Sequence, residues 1–382
     1  MQSFDSHHRT RLIFGAGTLS SLGNHARSLQ AKNALIVCDS GILKAGHYST
    51  AEKSLVDAGV KVSCFHDFGE NPTSAMVDMG VRQAAAKKPD LLIGLGGGSS
   101  LDCCKGINFV YSCGGSIHDY HGTGKATAPL LPMIAIPTTA GTGSEAQSYA
   151  LISDAKTHTK MACGDSRAAA KIAILDPLLT LTQPLGVTVL TGIDAISHAI
   201  ETQVSKRSNA MSITYSQRAF GMLAQSFERV IDHHDDVEAR SLMQLGAYFA
   251  GLAIENSMLG AAHATANPLT ANYGITHGQA VGVMLPSVIK LNAKSCGKAY
   301  ARLLRELDTP ADSGQAADTL ADLVTQWLRK SKLKTSLSAL KIPEEDFDTL
   351  ANDALEQWTG KFNPVELSLE IVKDLYQTAY SP

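Results

Sequence analysis

In the first half of the chain, short apolar runs alternate with longer stretches whose apolar residues recur at helical spacing. The runs at residues 12–14, 34–38, 61–65, 91–95, 133–136 and 171–175 are strand-length, and most are separated by a helical pattern. Such alternation predicts a largely parallel sheet covered by helices on both faces. One stretch departs from it: residues 149–152, a polar turn at 153–156 and residues 157–161 read as a hairpin projecting from the sheet.

After Pro184 no strand-like run remains. Leu320, Leu323, Val324, Trp327 and Leu328 follow the i, i+3, i+4, i+7, i+8 spacing of one apolar helix face. Asn363-Pro364 reads as a helix start, a capping side chain followed by proline, with Leu367, Ile371 and Leu375 along its face. The expected architecture is an α/β domain with a Rossmann-like parallel sheet over residues 1–184 and an all-helical domain over 185–382, with no internal repeat.

Composition narrows the class. With 44% apolar and 18% charged residues among 382, the chain is neither disordered nor fibrous and can bury its cores without staples. Lys and Arg total 33 against 36 Asp and Glu, a balance that argues against a nucleic-acid partner. The cysteines number seven, form no C-x-x-C pair, and include Cys103-Cys104, whose adjacency disfavours an unstrained disulfide. Reduced thiols in a cytoplasmic protein are expected. The polar first residues, Met1 to His8, are no signal peptide, and no apolar run approaches the ~18 residues that a membrane span needs.

The glycines carry the first chemistry. Gly94-Leu95-Gly96-Gly97-Gly98-Ser99-Ser100-Leu101-Asp102 directly follows an apolar strand and precedes a helical stretch. Consecutive glycines let backbone approach a ligand, and a helix N-terminus offers N–H groups and a favourable dipole to a diphosphate. A tight strand-to-helix turn would use the same residues. The spacing differs from G-x-G-x-x-G, whose acidic partner follows about 20 residues later. Here the acidic candidate comes earlier: Asp39, at the end of the run 34–38, can bind a ribose diol and repel a 2′-phosphate, favouring NAD over NADP. It can equally cap the stretch after Ser40. A third strand end carries Pro137-Thr138-Thr139-Ala140-Gly141-Thr142-Gly143-Ser144-Glu145, suited to wrapping a nucleotide, whereas Gly15-Ala16-Gly17 reads as a turn.

The second chemistry is metal binding. Asp194 and His198 stand four apart on a helical stretch and so share a face, as metal ligands or as a simple ion pair. His263 lies among small residues and His277 precedes Gly278, placements that suggest burial and a need for a partner. Three imidazoles and a carboxylate suit iron(II) or zinc, and an open position would allow Lewis-acid catalysis. The other histidines read as surface or packing residues.

On these residues the sequence resembles the iron-dependent (group III) alcohol dehydrogenase family, which includes lactaldehyde reductase and 1,3-propanediol dehydrogenase. The likeness runs from Phe14-Gly15-Ala16-Gly17 and Asn71-Pro72-Thr73 through Gly96-Gly97-Gly98-Ser99 with Asp102 and Lys105, then Asp119-Tyr120. It continues through Thr138 to Glu145, Lys160, Asp176-Pro177, Gly192-Ile193-Asp194 with His198 and Glu201, Leu259-Gly260 with His263, His277-Gly278 and Leu285-Pro286. The resemblance implies a two-domain dehydrogenase of small alcohols and aldehydes with its site in the cleft between domains. It implies Asp194, His198, His263 and His277 as ligands of Fe2+, with Zn2+ an alternative. It also implies Asp39, Gly96, Gly97, Gly98, Ser99, Asp102, Thr138, Thr139 and Lys160 as the NAD site, and a homodimer or larger homo-oligomer. Two positions depart from the family. Asn267 stands where members carry a histidine thought to relay the substrate proton, and a neutral amide cannot act as a general base. Ile254 replaces a common aromatic. A glycerol-dehydrogenase-like zinc enzyme is a close alternative. A dehydroquinate-synthase-like cyclase is another, but it would need basic residues that 259–278 lack; a metal- or nucleotide-binding protein that has lost catalysis draws support from Asn267, but all four ligands remain.

Overall fold

The computed structural model describes residues 3–157 and 159–381. The readings placed on Met1, Gln2 and His158 fall outside the described residues. The chain divides into two compact units, His7–Gln183 and the part from Pro184 onward. Residues 3–6 group with the second unit, where the Ser6 hydroxyl donates to Asn256 Oδ1 at 2.7 Å.

The first unit contains strands β1 (Arg11–Phe14), β2 (Asn33–Val37), β3 (Lys61–Phe65), β4 (Leu91–Gly96), β5 (Gly122–Thr123), β6 (Met133–Pro137), β7 (Tyr149–Ser153), β8 (Lys160–Gly164) and β9 (Ile172–Leu175). Its helices are α1 (Leu22–Ser28), α2 (Ser40–Lys44), α3 (His47–Asp57), α4 (Ser74–Lys87) and α5 (Gly98–Cys113). Six strands form a parallel sheet in the order β1-β9-β6-β4-β2-β3. Successive side chains of a strand point to opposite faces. Thus Leu35, Val37, Leu92 and Ala135 join one core, while Ala34, Ile36, Leu91, Ile93, Ile134 and Ile136 join the other. Burial on both faces is why these strands read as continuous apolar runs. The chain leaves β2 for β3 on one side and leaves β4 for β6 on the other, so the carboxyl ends of β2 and β4 flank a topological switch point.

The hairpin differs from expectation in register and company. Asp154 Oδ1 accepts from the N–H groups of Lys156 (2.8 Å) and Thr157 (2.6 Å), extending the turn, and β8 starts at Lys160 opposite Ser153. Together with β5 the hairpin makes a separate three-stranded sheet, β5-β8-β7.

The second unit is built from α6 (Leu185–Val204), α7 (Ala210–Asp232), α8 (Val237–Glu255), α9 (Ala261–Tyr273), α10 (His277–Arg305), α11 (Ala316–Lys330), α12 (Phe347–Leu355) and α13 (Leu369–Tyr380). Among the described residues no strand follows β9. On α11, Leu320, Val324, Trp327 and Leu328 are buried, and Leu323 is half-buried. The last helix begins later than Asn363-Pro364 suggests: Ser368 caps α13 by accepting from Ile371 N. Asn363 is unavailable as a cap because it is buried and exchanges amide hydrogen bonds with Asn292, 3.0 Å each way. Among the described residues no helix is long and apolar enough to cross a membrane. All seven cysteines are free thiols, with Cys103 and Cys104 buried.

Candidate metal centre and nucleotide loops

Helix α6 presents Asp194, His198 and Glu201 on one face, since residues four and seven apart return to the same side. His263 sits in the first turn of α9 and His277 opens α10. Gly278 allows that opening: a Cβ there would collide with the Leu190 carbonyl of α6. The fold thus brings the four predicted ligands together. His198 Nε2 and His263 Nε2 each lie 3.4 Å from Asp194 Oδ1, and His277 Nε2 lies 3.6 Å away. The donor atoms of Asp194, His263 and His277 are all within 4.8 Å of one another. The His198 and His263 rings stack, with centroids 4.9 Å apart.

These residues fit a divalent ion. Donors about 2.1 Å from a tetrahedral metal stand about 3.4 Å apart. Asp194 Oδ1 and His263 Nε2 are buried and have no hydrogen-bond partner among the described residues, a costly state that a shared cation removes. A simple Asp194–His198 ion pair would leave two further imidazoles converging on one oxygen without a role. The same groups favour positive charge at this point. Burial opposes the Asp194 charge, yet His198, His277 and His263 hold its carboxyl well below the usual range. Burial likewise opposes a charged His263, but Glu201 and Asp194 outweigh it and raise it to about 9.

Glu201 was not among the predicted site residues. Its Oε2 lies 2.5 Å from His263 Nδ1 and its Oε1 accepts from Ala262 N at 2.7 Å. The signals in the sequence were its place in the motif around His198 and its position, seven after Asp194 and three after His198. Asn267, one turn beyond His263, is half-buried and donates its amide to Gln357 Oε1 at 2.9 Å. Ile254 is buried in the last turn of α8.

In the first unit, Gly96 ends β4 at φ +145°, and Gly97 precedes α5 without a side-chain cap, leaving first-turn N–H groups for an anion. Part of the glycine requirement is internal. A Cβ on Gly98 would stand 2.6 Å from Thr142 Cγ2, and one on Gly97 would stand 3.2 Å from Thr139 Cγ2. Thr138 N donates to Gly96 O at 3.1 Å, so the β6 loop lies directly on the β4 loop. Ser99 Oγ accepts from Asn71 N at 3.2 Å, adding the segment before α4.

Asp39 makes the cap. Its Oδ1 accepts from Gly41 N (2.7 Å) and Ile42 N (3.2 Å), and its Oδ2 accepts from the Ser100 hydroxyl at 3.3 Å, which holds it beside the glycine loop. Asp102, expected at the nucleotide site, lies beneath the loops rather than on their surface. It is buried, with Oδ1 accepting from Ser144 Oγ at 2.5 Å and Oδ2 from Leu151 N at 3.2 Å. It therefore supports the β6 loop from beneath. Lys105, with no side-chain exposure, joins it by donating to Ser144 O (2.6 Å), Ser144 Oγ (2.8 Å) and Tyr149 O (2.7 Å). Burial pushes the Asp102 carboxyl upward against the pull of Lys105, and pushes buried Glu145 up to about 7. Lys160 is exposed at the start of β8.

A parallel sheet with a glycine loop at its switch point, and a carboxylate with three imidazoles on packed helices, define a class of two-part, metal-dependent oxidoreductases. Comparison with known proteins places the chain within it. Residues 9–177 match the family described as iron-containing alcohol dehydrogenase, and residues 188–380 match the Fe-containing alcohol dehydrogenase family, C-terminal. The chain belongs to the iron-containing alcohol dehydrogenase family. It is 33% identical to alcohol dehydrogenase 4 of Schizosaccharomyces pombe, over 96% of this chain and 87% of that one. It is 31% identical to the NAD-dependent methanol dehydrogenase of Bacillus methanolicus, over 96% and 97%. The crystal structure of a 1,3-propanediol oxidoreductase superposes with a TM-score of 0.95 at 28% identity, covering 99% of this chain and all of that one (100%). The protein is a metal-dependent NAD(H) alcohol dehydrogenase and aldehyde reductase by family; the cyclase and non-catalytic readings are not favoured.

Proposed function

We propose that the chain uses iron(II), held by Asp194, His198, His263 and His277, to interconvert a small alcohol and its aldehyde with NAD bound on the first unit. The carrying observation is the convergence of three Nε2 atoms at 3.4–3.6 Å on one carboxylate oxygen that has no hydrogen bond among the described residues. Zinc suits the same donors, and the iron of the matching family favours iron(II).

A divalent ion in this site supplies Lewis acidity to the substrate oxygen, while the nicotinamide supplies the redox chemistry. The protein's own groups do the rest. Asp194 contributes the one negative charge of the ligand set. The uncapped N–H groups behind Gly96, Gly97 and Gly98 take the diphosphate, with Ser99, Thr138 and Thr139 around it. Asp39 takes the ribose hydroxyls and repels a 2′-phosphate, so NAD is preferred, as the name of the Bacillus methanolicus relative also supports. Lys160 contributes positive charge to the same nucleotide. Asn267 holds no titratable proton, so it orients groups without relaying one. The net reaction is alcohol plus NAD+ giving aldehyde, NADH and a proton. Assembly into a homodimer or larger and a cytoplasmic location complete the proposal.

The test is metal analysis of anaerobically purified protein followed by NADH absorbance with a panel of short alcohols and aldehydes. Stoichiometric iron with turnover of at least one member supports the reading. Turnover unaffected by complete metal removal would overturn it.

A further inference from the structure

Glu201 stands outside the ligand set yet is built into it. Its side chain is 3% exposed, and a carboxyl group that deep needs dedicated hydrogen-bond partners. It has two, one on each oxygen: His263 Nδ1 and the Ala262 N–H. The second is one of the free donors in the first turn of α9, whose N-cap residue, Gly260, has no side chain to satisfy them. A Cβ on Gly260 would stand 3.2 Å from Glu201 Oε1 and 3.1 Å from Asn363 Oδ1, so that glycine leaves room for the carboxylate. One acidic side chain from α6 therefore closes the start of α9 and grips the histidine in its first turn.

We propose that Glu201 is the positioning residue of the metal centre: its carboxylate accepts a hydrogen bond from His263 Nδ1–H, which leaves Nε2 as the ligating nitrogen and locks the ring toward Asp194. The inference rests on the metal reading above. Imidazole ligands gain both orientation and basicity from such a partner. A carboxylate is required because two donors arrive on two separate oxygens. Glutamine offers a single acceptor oxygen and turns an N–H toward the other donor. Aspartate keeps the charge but is one methylene short of reaching both.

The test compares wild type, Glu201→Gln, Glu201→Asp and His263→Ala for Zn2+ dissociation constants by chelator competition, and for the visible spectrum of the Co2+-substituted protein. Glu201→Gln should bind Zn2+ about 10- to 100-fold more weakly and shift the Co2+ bands, with Glu201→Asp between it and wild type. A merely structural role would lower the melting temperature of the metal-free protein but leave both readouts unchanged at temperatures where every variant is folded. That result overturns the proposal. Should Glu201→Gln not fold, Gly260→Ala, which crowds the carboxylate without removing it, should weaken Zn2+ in the same direction, and unchanged affinity there counts against the proposal. If His263→Ala binds Zn2+ as tightly as wild type, the metal reading itself fails and takes this inference with it. Tight wild-type binding, lost in His263→Ala and unchanged in Glu201→Gln, overturns the role of Glu201 alone.

Discussion

His263 Nε2 and Asp194 Oδ1 face each other across 3.4 Å, both buried and neither hydrogen-bonded to anything among the described residues. That separation is beyond a good N–H···O bond, which prefers 2.7–3.2 Å, but suits two ligands of one ion. Two more imidazole nitrogens at 3.4 and 3.6 Å from the same oxygen make a metal the simplest resolution.

Asp39 carries two separable roles, and Asp39→Asn separates them. Asparagine caps a helix about as well as aspartate, so stability should change by less than about 0.5 kcal/mol, whereas Asp39→Ala should lose about 1 kcal/mol. Loss of the charge should nonetheless relax discrimination against NADP. Denaturant unfolding and the ratio of kcat/KM for the two cofactors check both halves.

Lys105 is fully buried and holds Ser144, Tyr149 and, at 3.9 Å, Asp102. Lys105→Met should destabilise the protein by about 3–5 kcal/mol because Asp102 is left as a buried charge without its cation. The β6 loop should loosen with it, raising the KM for NAD more than it lowers kcat. Urea unfolding with steady-state kinetics tests this.

Glu145 sets a pH dependence of stability. Its carboxyl rises from 4.5 to about 7 in the folded protein, mainly through burial. The folded state then binds the proton more tightly, so the contribution is complete below about 4.5 and is lost as pH rises through about 7. The full effect is on the order of 3 kcal/mol. Glu145→Gln should flatten unfolding free energy between pH 5 and 8, roughly the window in which the group titrates. An unchanged slope would assign the dependence to other groups.

Asn267 donates to Gln357 and cannot titrate. Asn267→His should introduce an ionisation near neutrality into the pH profile of kcat/KM, since imidazole titrates around 6.5. A profile identical to wild type would show that position 267 lies off the proton path.

The sheet was legible because its strands are buried on both faces and hence uniformly apolar, as in β4 from Leu91 to Gly96. The hairpin was less so: Asp154 prolongs its turn by side-chain hydrogen bonds that no hydrophobic pattern records. Asn363 looked like a cap because its neighbour is proline, yet its amide pairs with Asn292, 71 residues earlier in the chain. At the site, Asp194 and His198 were visible as an i, i+4 pair, and His263 and His277 by their small neighbours. Glu201 was visible as part of the motif around His198, but it carried no site role because a helical glutamate ordinarily faces water. The contact of Asp102 with Ser144 was not legible, because the two stand 42 residues apart and meet only on folding.

The most direct measurement is iron content and NAD-linked turnover of His263→Ala beside wild type, both purified anaerobically. Wild type should hold stoichiometric iron, whereas the variant should lose most of it together with at least about 100-fold in kcat/KM, since it removes a ligand outright. A folded His263→Ala protein with full iron content and full turnover would contradict the assignment of this cluster as the metal centre.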